Sequence, residues 1–188
     1  MTLQWLRRVL EAQIESRKQA VPGLLAKEEL IRITMQKGAT SVLFYRTVLK
    51  NQFDKNEEEA LSQMGGLMQL GNDIFDVYKD CQKKIDTPVT TAKSVQAVRE
   101  LFQSQMKKSF SLFYTTGYSR KNINKFLRLI SMSLCSRCFV CLNQLEKKEK
   151  ETKTDFSPCQ YKRNDLVCDM QKAGNKWKTV LKYIQEKL

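Results

Sequence analysis

From Leu61 to Asp80 the chain reads Leu-Ser-Gln-Met-Gly-Gly-Leu-Met-Gln-Leu-Gly-Asn-Asp-Ile-Phe-Asp-Val-Tyr-Lys-Asp, and no other stretch restricts the fold as tightly. Wound as a helix, this segment gathers Gly65, Gln69, Asn72, Asp73, Asp76 and Asp80 into an arc of about 100°. Leu61, Met64, Leu67, Met68, Leu70, Ile74, Phe75, Val77 and Tyr78 fill nearly all the remaining circumference. A helix that is apolar on almost every side is normally buried among other helices. The acidic arc is therefore expected to face an internal cavity or a partner.

The rest of the chain reads as helices packed around that segment. Only seven Gly and three Pro interrupt its 188 residues, and β-like alternation is scarce. Breakers at Val21-Pro-Gly23, Asn51 to Asn56, Asp86 to Val89, Thr116-Gly117 and Ser157-Pro158 divide it into six helices. These are expected near residues 2–20, 24–50, 57–85, 90–115, 120–150 and 163–187. The predicted fold is a single all-α helical bundle, long enough to bury a sizeable core.

Three carboxylates and two amides buried together need partners, because an isolated buried charge costs several kcal/mol or takes up a proton. A hard cation meets that need. Mg²⁺ takes oxygen ligands, keeps several waters, and commonly binds through one or two carboxylates plus substrate phosphates. Asp76 and Asp80, one helical turn apart, stand on one face and suit a shared ion. The competing explanation is a solvated acidic face paired with Lys79, Lys83 and Lys84.

The series Gln69, Asn72, Asp76 and Asp80 resembles the second aspartate-rich motif of the class I isoprenoid synthases, particularly the squalene and phytoene synthase branch. Read from Asn72, it is also similar to the metal motifs of terpene cyclases and prenyl diphosphate synthases. Asp76 stands where cyclases have Ser or Thr, Asp80 where they have Glu, and Lys79 replaces an acidic residue usual in squalene synthases. Upstream, Lys37-Gly-Ala-Thr-Ser41 is similar to the prenyl-transferase helix in which a Lys beside small residues lets a diphosphate approach the backbone. By itself, the same Lys-Gly pair reads equally well as tight helix packing at Gly38 with Lys37 on the surface.

The resemblance implies a magnesium-dependent enzyme acting on prenyl diphosphates, by prenyl transfer or cyclisation. It implies Asn72, Asp76 and Asp80 as metal ligands, assisted by Asp73. Gln69, Lys37, Lys83 and Lys84 would serve the diphosphate, with the loop from Lys83 to Pro88 as its cap. Phe44, Met64 and Met68 would line the cavity. Class I enzymes hold their magnesium between two acidic helices, and no Asp-Asp-x-x-Asp or Asp-x-x-x-Asp occurs before Gln69. The i, i+4 pair Glu11 and Glu15 is ordinary for an exposed helix and is a poor substitute. The chain is thus expected to be the C-terminal half of a larger synthase or a degenerate relative, inactive alone and completed by the missing half or by a second copy.

Charge and composition limit the alternatives. The net charge is +13, with Lys and Arg scattered along the chain and no zinc-finger or RNA-recognition signature, which argues against nucleic acid. A diphosphate substrate, a peripheral contact with an anionic membrane or an acidic partner would each use the excess. The absence of histidine removes Ser-His-Asp and Cys-His catalysis. Ile123 to Leu145 is interrupted by Lys125, Arg128 and Arg137, so no membrane span is expected. The opening Trp5 to Leu10 puts Arg7 and Arg8 where a secretory signal is apolar, and a cytoplasmic location follows as the expectation. Cys135, Cys138 and Cys141 fan around a helix instead of converging, so they are read as buried thiols, and no disulfides are expected. The second function class is a non-catalytic helical module whose acidic arc binds a basic partner or seals an interface.

Overall fold

The structure, a computed structural model, describes residues 2–49, 52–54 and 56–185. Among the described residues it is all-α, with eight helices, six of them of seven residues or more, and no strands. In chain order they are α1 (Thr2–Ser16), α2 (Lys27–Thr47), α3 (Glu57–Phe75), α4 (Val77–Gln82), α5 (Val95–Phe113), α6 (Arg120–Thr152), α7 (Arg163–Leu166) and α8 (Ala173–Gln185). The breakers act where the sequence puts them. Two expected helices are subdivided: 57–85 bends at Asp76, and 163–187 splits into α7 and α8, its residues 186 and 187 lying outside the described residues.

Local chemistry sets several of these boundaries. Helix α5 begins at Val95 rather than near residue 90 because Ser94 accepts a hydrogen bond from the Ala97 N–H at 3.1 Å. Thr87, Thr90 and Thr91 close the turn before it through their own hydroxyls. Between α2 and α3, the buried Arg46 donates to Glu57 at 2.5 and 3.1 Å and to the Gln52 carbonyl at 2.9 Å. Burial pushes the Glu57 carboxyl up, but hydrogen bonds from Arg46, the Asp54 N–H and Tyr118, together with the Arg46 charge, outweigh it and hold the group below its usual range.

Helix α3 is the central element, packed against α2 on one side and against α5 and α6 on the other. Ala60, Met64, Leu67, Leu70 and Ile74 are essentially inaccessible there. From α5 and α6, Phe102 and Phe139 meet edge to face with centroids 5.5 Å apart. Helix α6 contains a π-helical turn at Ser131–Cys135. By length and composition α6 could cross a membrane, against the sequence expectation, but half of its most apolar window is buried within the fold. That burial is what a core helix requires.

Cys135, Cys138 and Cys141 are buried thiols in this core. Burial pushes Cys135 up to about 12 and holds Cys138 well above its usual value. The expectation of no disulfides is corrected: Cys81 and Cys159 are bonded, with Cα atoms 5.0 Å apart. The bond joins α4 to the 3₁₀ turn Pro158–Gln160. Their sequence separation of 78 gives no local signal, and only the tertiary path brings them together.

Candidate metal and diphosphate site

The acidic face is positioned by the crossing of α2 over α3. Gly38 and Gly65 meet backbone to backbone: a Cβ at Gly38 would fall on the Gly65 carbonyl, and one at Gly65 would lie 2.9 Å from the Ala39 Cα. Packing thus accounts for Gly38, and the same crossing brings Lys37 to the acidic face. The Lys37 charge acts on both Asp73 and Asp80. Its own side chain has no hydrogen-bond or ion-pair partner among the described residues.

Asp73 is the enclosed member of the face, at 4 % exposure. Gln69 donates its side-chain amide to Oδ1 at 2.9 Å, and Thr34 donates its hydroxyl to Oδ2 at 3.2 Å. Burial nevertheless pushes the carboxyl up to about 7; Asp80 adds to the shift, while Gln69, Lys37 and Thr34 oppose it. Thr34 is the residue that sequence reasoning missed. Its signal was faint: a small hydroxyl side chain nearly one helical turn before Lys37.

Beyond Asp73 the chain bends without losing its hydrogen-bond ladder. Asp76 leaves helical geometry (φ −89°, ψ 6°), yet its N–H donates to the Asn72 carbonyl at 2.8 Å. The Asp80 N–H donates to the Asp76 carbonyl, also at 2.8 Å. The half-buried Asp76 carboxylate pairs with Lys79 at 3.1 Å. The Asp80 carboxylate, likewise half-buried, has no hydrogen-bond or ion-pair partner among the described residues. Burial first, and then the neighbouring Asp76 charge, raise it to about 6 against the pull of Lys79, Lys37 and Lys83.

Other sequence-predicted site residues fall elsewhere. Asn72 is exposed, and Met68 at 43 % exposure is a surface residue instead of a cavity wall. Met64 is core, accepting from the Ser109 hydroxyl at 3.7 Å, and Phe44 is half-buried. The acidic face therefore does not open into an internal cavity as expected: α2 covers its Gly65 and Asp73 side, and Asn72 marks a solvent edge. Helix α3 is buried by neighbours without being enclosed all round. A cleft of about 650 Å³ lies between Leu25 to Leu30 of the α2 entry and Ala97 to Leu101 of α5; Asp86 and Pro88 line it, and Asp73, Asp76 and Asp80 do not.

The loop expected to cap a diphosphate is largely committed to structure. Asp86 bonds Gln19 through its backbone at 2.7 and 3.0 Å, and its carboxylate accepts from the Gly23 N–H at 2.7 Å. Lys83 and Lys84 are exposed, Lys84 in the left-handed region at φ 54°. Lys83 acts on Asp80. Glu15 is likewise committed, pairing with Arg32 of α2.

These positions decide which ion the face would fit. Among the described residues no three Asp, Glu, Cys or His side chains form a metal-binding group, so a multinuclear cluster does not fit. Asp73 is closed to an ion, because both its oxygens are engaged and burial favours its protonated form. Asp76 and Asp80 do suit one Mg²⁺ that keeps waters and shares phosphate oxygens. No protein-family model, curated protein or solved structure matches this chain.

Proposed function

We propose that the Asp76–Asp80 face is one side of a magnesium and diphosphate site of the class I isoprenoid synthase type, acting on prenyl diphosphates. The observation that carries the reading is the Asp80 carboxylate: half-buried, raised by that burial and then by a second carboxylate one turn away, and faced by Lys37, neither side chain having a partner among the described residues. A carboxylate in that state gains more from a cation than a solvated one does. Asp76 and Asp80 would hold the ion, and Lys37 would offset diphosphate charge from the opposite helix. Bound there, magnesium would stabilise the negative charge that builds on a leaving diphosphate. Gln69 and Thr34 work one step back, holding Asp73 in place beneath the face. The described residues supply one acidic helix, so the opposing ligands of a complete site would come from outside them.

Thermal melting of the whole chain tests this reading. Magnesium together with farnesyl diphosphate should raise the melting temperature of the wild type and leave Asp76→Asn with Asp80→Asn unmoved. A specific observation favours the non-catalytic module as the second reading: Asp73 and Asp76 already have protein partners. Under that reading neither ligand shifts the melting curve, and the double variant is simply more stable.

A further inference from the structure

Helix α8 turns Asn175, Thr179 and Lys182 to the protein and Trp177, Leu181 and Ile184 to solvent, with Val180 and Tyr183 half-buried. On the inner side Thr179 is buried, and Asn175 donates its side-chain amide to the Asp169 carbonyl at 2.8 Å. Lys182 reaches over the Phe139 ring at 5.8 Å. On the outer side Trp177, Leu181 and Ile184 fall within about 60° of one another. They are 63 %, 39 % and 64 % exposed. An isolated exposed Leu needs no explanation, but an aligned Trp, Leu and Ile on one helix does.

The charges around this stripe select its occupant. Lys176 and Lys178 stand about 100° to either side of Trp177. No Asp or Glu occurs from Gln171 to Gln185, and Glu186 lies outside the described residues. Beside Leu181 a groove of about 470 Å³ is lined by Lys147, Lys178 and Lys182 with Asn143 and Asn175. Of these, Lys147 is 4.0 Å from Glu151. An apolar strip containing Trp and bordered by lysines matches the headgroup boundary of an anionic bilayer, where the strip is buried and the ammonium groups meet phosphate. Helix α1 makes the contrast: Leu3, Leu6, Leu10 and Ile14 are also exposed, but Arg7 and Glu11 border them with opposite charges. Charge selects nothing there.

We propose that α8 is an interfacial anchor, with Trp177, Leu181 and Ile184 entering the boundary of an anionic membrane while Lys176 and Lys178 contact lipid phosphates. It shares no residue with the acidic face, so the two sites can fail separately. The test is flotation of the full chain with vesicles of phosphatidylcholine alone and of an equimolar mixture with phosphatidylglycerol. A Trp5→Phe background leaves Trp177 as the only indole, and where that variant does not fold, flotation of the otherwise native chain carries the test. Co-flotation with the anionic vesicles is expected, at least about tenfold weaker with neutral ones, together with a blue shift of Trp177 emission. Leu181→Ser with Ile184→Ser should abolish it, and Lys176→Glu with Lys178→Glu should remove the anionic preference, with melting unchanged in both. Three results overturn the proposal: no co-flotation, equal binding to neutral vesicles, or a lipid-free dimer in sedimentation that already shifts Trp177 emission.

Discussion

Asp73 and Asp80 stand two turns apart on one acidic face, and the chain treats them differently. Asp73 is held by helix packing, with an oxygen each for Gln69 and Thr34 and almost no exposure. Asp80 sits beyond the bend, half-buried, without a side-chain partner among the described residues, and next to a cysteine tied to a distant turn. Burial with donors produces a structural acid whose protonation is the fold's own affair. Partial burial without donors leaves a charge that a cation can relieve, and the lysines around it serve the same end.

The sharpest way to break this contrast is to release the Asp80 end. Serine at Cys159, or reduction, frees a loop of 78 residues and should cost about 4.5 kcal/mol, read by urea denaturation with and without reductant. An unchanged midpoint would mean that α4 is held by packing alone. Next comes the pH dependence of the Asp73 end. Its folded pKa of about 7 lies above the unfolded carboxylate value, so the folded state holds the extra proton between the two. Stability is therefore full below about pH 4 and falls as pH rises through about 7, by up to about 4 kcal/mol in all. Asp73→Asn should flatten that slope in melts taken across the window; a slope that survives would place its origin elsewhere.

Gly38→Val tests the crossing that sets both ends. The added Cβ meets backbone, which cannot step aside, and about 3 kcal/mol should be lost in chemical denaturation. The smallest effect belongs to Asp80→Asn. Its raised pKa of about 6 means that the charged form, which predominates above that pH, costs the folded state stability, so removing the charge should stabilise the chain at neutral pH. After discounting for solvent screening the gain is about 1 kcal/mol, seen as a higher melting temperature without magnesium. A loss instead would show that Asp80 has a stabilising partner.

Much of the fold was legible because its signals are local. Pro22, Gly23, Asn56, Pro88, Gly117 and Pro158 stop helices through backbone preference alone, and the apolar periodicity of α3 marks it as central. The acidic arc was legible for the same reason, since helical spacing fixes which side chains share a face. Its internal division was not. Nothing in the spacing of Asp73, Asp76 and Asp80 says which of them α2 will cover, that Thr34 will meet Asp73, or that Asn72 will be left at the surface.

The sequence alone therefore determined an all-helical chain with a central apolar helix, one acidic face, and a run of three cysteines destined for the core. Helix geometry repeats over a few residues, and local side chains suffice to specify it. Tertiary structure alone decided the backbone contact of Gly38 with Gly65, the approach of Lys37 to Asp80, the Cys81–Cys159 bond and the outward turn of α8. Each depends on how distant segments cross, and so on which surfaces lose their water when the helices pack.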